Sequence, residues 1–291
     1  MLTARRRSGV DKKGADVYNV SNGKREAFFA HSDIKGETFM ELVLLTALGV
    51  GGATLAGAAL GFIFKKISHT FSDIVLGFAA GVMLCAAVVG LILPALGDGG
   101  WESLLLVVGG IFAGALCLNL VDRLVPHLHA MAGDKEEAHP ESNQRLDKVF
   151  LFVLAIAIHN LPEGIAAGVG FGTGDVSGAL SVALGIALQN IPEGMVIIGP
   201  MLAAGVSPKK TLLVASATGA IEVVGTFIGY FAVSISAAVF PFALAFAGGT
   251  MLYVISDEMI PETHAHGNER GATYALLIGF CLMLAMDLFL G

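Results

Sequence analysis

Charge is scarce in this 291-residue chain: Asp, Glu, Lys and Arg make up 14% of it, against about 25% in soluble domains. That shortage, with 55% hydrophobic residues and a mean hydropathy of +0.77, excludes a pair of ordinary soluble domains and leaves one membrane domain. Cysteine is nearly missing. Cys85, Cys117 and Cys281 each stand alone in an apolar segment, so a disulfide framework and a CxxC metal knuckle are both excluded, and the three read as small packing residues. No H-E-x-x-H pairs two imidazoles one turn apart, which removes the usual sign of a zinc hydrolase. No basic stripe follows a phosphate backbone either, so nucleic acid is no partner.

Long apolar runs are what the chain does have. Crossing the ~30 Å hydrocarbon layer takes about 20 mostly apolar residues, and eight such segments can be drawn, at 39–64, 71–96, 102–121, 148–172, 177–202, 209–234, 239–260 and 271–290. The expectation is an all-α membrane protein of eight transmembrane helices, spanning residues 39–291. Runs such as Gly49-Val50-Gly51-Gly52 and Gly109-Gly110 with Gly114 let helix backbones approach closely inside lipid.

Orientation follows from the basic residues of the connections. Those after spans one, three, five and seven hold Lys65, Lys66, Arg123, Lys135, Arg145, Lys148, Lys209, Lys210 and Arg270, and the others hold none. This puts the first set, including a loop at 122–147, in the cytoplasm and both termini outside, in a multi-pass protein of the cell (inner) membrane. The polar tail 1–38 carries eight basic residues of its own, such as Arg5-Arg6-Arg7, and argues the other way. It lacks the apolar core of a signal peptide and reads as a disordered extension or as upstream sequence included ahead of Met40.

Three carboxylates fall deep in these spans: Glu163, Glu193 and Glu222. Left uncompensated they would cost on the order of 8 to 10 kcal/mol, so they must face one another, water or a cation. Span four reads His159-Asn160-Leu161-Pro162-Glu163-Gly164, and 30 residues later span five reads Gln189-Asn190-Ile191-Pro192-Glu193-Gly194. On a helix His159 shares a face with Glu163 and Gln189 with Glu193, while Asn160 and Asn190 lie three before each glutamate. Each proline removes the donor to the carbonyl four residues back, at Ile158 and at Leu188, and should break the helix there. Matching broken helices in two related segments point to a transport site. Glutamates, one imidazole and amide oxygens suit a borderline divalent cation such as zinc.

At these residues the chain resembles the ZIP (Zrt-, Irt-like protein) family of divalent-metal transporters, and its double Pro-Glu-Gly motif is similar to the prokaryotic GufA-like branch. The resemblance implies a binuclear centre: Met83, His159, Glu163, Gln189 and Glu193 in a first site, and Asn160, Glu163, Asn190, Glu193 and Glu222 in a second, with the two glutamates bridging. Asn190 is an aspartate in some relatives, so the second site here has one carboxylate fewer. The implied cargo is Zn2+, with Cd2+, Fe2+, Mn2+ and Co2+ as further candidates. No prosthetic group is expected, the partners are the metal ions and the lipid bilayer, and a homodimer is a candidate assembly.

Elsewhere the sequence leaves pairs of readings open. The loop at 122–147 carries Asp122, His127, His129, Asp134, Glu136, Glu137, His139 and Glu141, a metal receiver or a solvated acidic linker. Asp257-Glu258 and Pro261-Glu262-Thr263-His264-Ala265-His266 line an exit path or merely meet water at the membrane edge. Asp73 and Asp287 read as surface acids. The competing functions are an intramembrane metal-dependent hydrolase, for which one deep histidine is too few, and a proton-linked carrier of organic solutes, for which no deep Arg or Lys is available as an anion clamp.

Overall fold

A computed structural model describes residues 36–64, 68–97, 99–131, 157–171, 176–235 and 239–290. Among these residues there are eight helices and no strand: α1 Gly36–Ile63, α2 His69–Leu96, α3 Trp101–Met131, α4 157–170, α5 Val176–Ala203, α6 Pro208–Ile235, α7 Phe240–Thr263 and α8 Glu269–Leu290. All but α4 are long and apolar enough to cross a membrane. The outer parts of the segment expected at 148–172 lie outside the described residues, as do the tail 1–35 and most of the loop at 122–147. The loop's first ten residues continue α3 as helix to Met131, beyond the end expected at 121. The described residues from Val43 onward form one compact unit.

Local chemistry sets the helix ends. Ser68 caps α2 by accepting the Phe71 N–H at 3.2 Å, and prolines stand in the first turns of α6 and α7, where a missing N–H costs nothing. Gly205, at a φ of +84°, closes α5, with the Val206 N–H returning to the Met201 carbonyl as in a Schellman turn.

The backbone stays α-helical through Pro162 and Pro192, so the expected opening of those turns does not end either helix. The chain widens instead ahead of Pro94 and Pro261. In α2 the turns over Ala86–Ile92 are π-helical, with the Leu93 N–H reaching the Val88 carbonyl, and in α7 the same happens over Ile255–Met259, with the Ile260 N–H reaching Ile255. A π turn absorbs the proline ring by lengthening the loop of backbone before it.

Glycines sort the helices into two sets. A Cβ on Gly164, Gly168, Gly225 or Gly229 would strike backbone across the α4–α6 contact, and Gly51 and Gly219 press α1 on α6. Gly57 and Gly194 do the same for α1 and α5. In the second set Gly77, Gly81 and Gly279 seat α2 on α8, and Gly110, Gly114 and Gly249 seat α3 on α7. Between the sets, Gly90 and Gly185 meet only side chains, those of Val182 and Met283. The outer faces are apolar and exposed, as at Phe112, Leu213 and Phe289, which suits lipid in place of water. Cys85 is buried, while Cys117 and Cys281 lie on exposed faces, and all three are unpaired.

Candidate metal centre

The repeated motif places its polar side chains where α4, α5 and α6 meet. Gly164 and Gly194 explain the glycine of each Pro-Glu-Gly. A side chain on Gly164 would run into the Glu222 carbonyl, and one on Gly194 into that of Thr54, so each glutamate is followed by the residue that lets its helix dock. Gly194→Ala should therefore destabilise the bundle by about 1–3 kcal/mol, the usual cost of overpacking, which thermal unfolding of the detergent-purified protein would show as a lower Tm.

Glu222, fully buried on α6, is the anchor. Its Oε1 accepts from Thr54 Oγ1 at 2.6 Å and Asn160 Nδ2 at 2.5 Å, and its Oε2 accepts from Asn190 Nδ2 at 2.6 Å. Asn190 Nδ2 also donates to the Val50 carbonyl at 3.2 Å. One turn away, Gln189 Nε2 donates to Glu163 Oε1 at 2.9 Å. All three amide NH2 groups are thus committed to carboxylates, which fixes the amide orientations, since turning any of them would set oxygen against oxygen.

The consequence lies in the atoms left over. Asn160 Oδ1, Gln189 Oε1, Asn190 Oδ1, Glu163 Oε2 and Glu193 Oε2 are buried and have no hydrogen-bond partner. Each such group costs about 1–3 kcal/mol, and all five are acceptors. Among the described residues no Lys or Arg pairs with these carboxylates. A cation satisfies such a set of oxygens at once. No three His, Cys, Asp or Glu side chains among the described residues stand close enough to hold an ion by themselves, so any ligand set must draw on the amides.

His159 and Glu193 also line a cavity of about 500 Å3, together with Leu76, Val196, Glu258, Glu262 and Ala265. His159 Nδ1 stands 3.5 Å from Glu258 Oε2, an ion-pair distance outside hydrogen-bond geometry. Of the residues expected in the first site, the structure joins Glu163 to Gln189 directly and places His159 and Glu193 on one cavity. From the second it joins Asn160, Asn190 and Glu222. Met83 is fully buried in the apolar core. Thr54 on α1 was not among the expected site residues, and Glu258, in the π turn of α7, was read only as a candidate for an exit path. A lone threonine in an apolar span gives little signal, whereas Glu258 had one in its place three residues before Pro261.

Residues 132–287 match the family described as Zip, ZIP Zinc transporter. The chain is 41% identical to "Zinc transporter GufA" of Myxococcus xanthus over 85% of its own length and 98% of that protein's. It is 39% identical to "Zinc transporter ZIPB" of Bordetella bronchiseptica, covering 82% of this chain and 78% of the relative. With human "Zinc transporter ZIP11" the identity is 30%, over 89% of this chain and all of the relative. A membrane bundle whose described residues are nearly all helical, a doubled Pro-Glu-Gly centre of unpaired oxygens and these relatives together place the chain in the ZIP zinc transporter family.

Proposed function

We propose that the chain carries divalent metal ions, zinc foremost, across the cell (inner) membrane toward the cytoplasm, through the polar centre of α4, α5 and α6. The observation that carries this reading is the set of five buried, unpaired oxygens on the repeated motif, and the relatives' names as zinc transporters support it. Two sites divide the ligands: Met83, His159, Glu163, Gln189 and Glu193 in the first, and Asn160, Glu163, Asn190, Glu193 and Glu222 in the second. The cavity at His159 and Glu193 extends to Ala265, in the connection between α7 and α8. The distribution of Lys and Arg assigns that connection to the cytoplasm, so the arrangement is open inward, with both termini outside. A hydrolase gains no support, because His159 is the lone imidazole in this buried cluster and a catalytic zinc needs three firm protein ligands and a bound water.

Proteoliposomes loaded with a metal-sensitive dye and offered a panel of Zn2+, Cd2+, Fe2+, Mn2+ and Co2+ test the reading, and no uptake of any of them would overturn it. Protons compete for the same carboxylate and imidazole atoms as the metal, so zinc uptake should fall as the pH of the loading side is lowered. Rates that stay flat across an acid-to-neutral series would show that these groups do not titrate during loading.

A further inference from the structure

Outside the central cluster, another group of chemically active side chains is built around Asp73 and His266, the latter next in the chain to Ala265, which lines the cavity. Asp73, in the second turn of α2, is only 2% exposed, a correction to its reading as a surface acid. Its Oδ1 lies 3.0 Å from His266 Nδ1, and its Oδ2 receives Asn268 Nδ2 at 3.5 Å. Asn268 in turn donates to Thr70 Oγ1 at 2.7 Å. The ring of His69 stacks on that of His266, with centroids 4.5 Å apart and planes 24° from parallel.

A carboxylate on Nδ1 holds the proton there, leaving Nε2 of His266 with its lone pair outward. This is the arrangement by which carboxylates orient metal-binding histidines and raise their basicity. The neighbouring His264 is excluded from such a role, because its Nδ1 lies 2.8 Å from the Ile260 carbonyl and its Nε2 3.4 Å from Thr273 Oγ1. His266 and His69 are exposed, and Ala265, next to His266 in the chain, lines the cavity that begins at His159 and Glu193.

We propose that His266, oriented by Asp73 and paired with His69, is a second, water-completed binding site for the transported divalent ion at the mouth of the cavity. Zinc takes imidazole nitrogens at about 2.1 Å, so two of them on one ion stand no more than about 4.2 Å apart. Imidazole lone pairs lie in the ring plane, so His69, which is exposed, must swing out of its stack on His266 to bring a nitrogen onto the same ion. Two imidazoles with water in the remaining positions bind more loosely than a closed four-ligand site, as a stop on the way out requires. The site takes its cargo from the transport reading given above, but its binding can be measured without transport.

Zinc titration of the full-length protein carrying Glu163→Ala and Glu193→Ala isolates the mouth. One zinc per chain should remain sensitive to His266. Adding His266→Ala should weaken it at least tenfold, adding Asp73→Asn should weaken it about 10-fold through the lost orientation, and X-ray absorption of the bound zinc should lose histidine scattering with His266→Ala. His266→Gln, which keeps a donor for Asp73, should behave as alanine does and guards against a folding artefact. Zinc binding that is unchanged by both His266 substitutions, or absent from the starting variant, would overturn the site. Wild-type liposomes that take up no metal would overturn the transport reading and leave this result to stand by itself.

Discussion

Alanine at Glu163 or Glu193 should bring zinc uptake to background while the protein still inserts and purifies. The reasoning runs through the unpaired atoms. Glu163 Oε2 and Glu193 Oε2 are buried acceptors without partners, so each carboxylate costs stability in the metal-free protein and returns it only when a cation binds. Removing Glu193 should therefore leave the metal-free Tm unchanged or higher, since an unpartnered buried acceptor disappears, whereas Glu163→Ala also strands the buried Gln189 Nε2 and should lower it. The gain in Tm on adding zinc should shrink sharply. For a wild-type site at about a hundredfold excess of zinc over Kd that gain corresponds to ~2.7 kcal/mol, and most of it should vanish in the variants. Glu163→Gln separates shape from charge: it still accepts from Gln189 Nε2 but offers no negative charge, so uptake should fall nearly as far as with alanine. Near-normal transport by a well-expressed Glu193→Ala protein would sink the assignment of the centre.

How much of this was legible in the sequence depends on whether a residue's partner is local. His159, Glu163, Gln189 and Glu193 announce themselves because helical spacing puts each pair on one face, and the repeat at 30 residues marks both faces as one design. Glu222 was legible from cost alone, since a carboxylate in an apolar span must be compensated. Thr54 was not, because its meaning comes from Glu222, 168 residues away, and nothing near it in the chain sets it apart. Burial of Asp73 was hidden for the same reason: its partners, His266 and Asn268, lie on a connection almost 200 residues on.

The prolines differ in what they do to the backbone. Pro162 and Pro192 stand in helices that stay helical, while Pro94 and Pro261, near helix ends, are preceded by π turns. Local chemistry specifies the loss of a hydrogen bond at each of the four, but packing decides where the backbone yields. Gly164 and Gly194 hold their helices against α6 and α1, which leaves no room for a widened turn there. In α7 the wider turn carries Glu258 toward His159, a contact that straight helical geometry drawn from the sequence does not anticipate.

The remaining prediction concerns residue 190, where this chain has an amide beside the carboxylate of Glu222. Asn190 Nδ2 bridges Glu222 Oε2 at 2.6 Å and the Val50 carbonyl at 3.2 Å, and its Oδ1 is one of the unpaired oxygens. Asn190→Asp removes both donated bonds and sets a carboxylate against a carboxylate at hydrogen-bond distance, which is repulsive unless a proton or a cation lies between them. The metal-free variant should accordingly unfold at a lower temperature than the wild type. Zinc should reverse the order, because an ion between residue 190 and Glu222 now meets two negative charges in place of one. Hard, strongly hydrated divalent ions, which depend most on ligand charge, should gain more from the change than zinc does. Tighter holding has a kinetic cost, since conduction needs binding weak enough to release, so the variant should load more metal at equilibrium and pass it more slowly. Calorimetric titration of the two purified proteins beside their uptake rates decides the matter: equal stoichiometry and affinity would mean that Asn190 serves to hold Glu222 in place and never touches the ion.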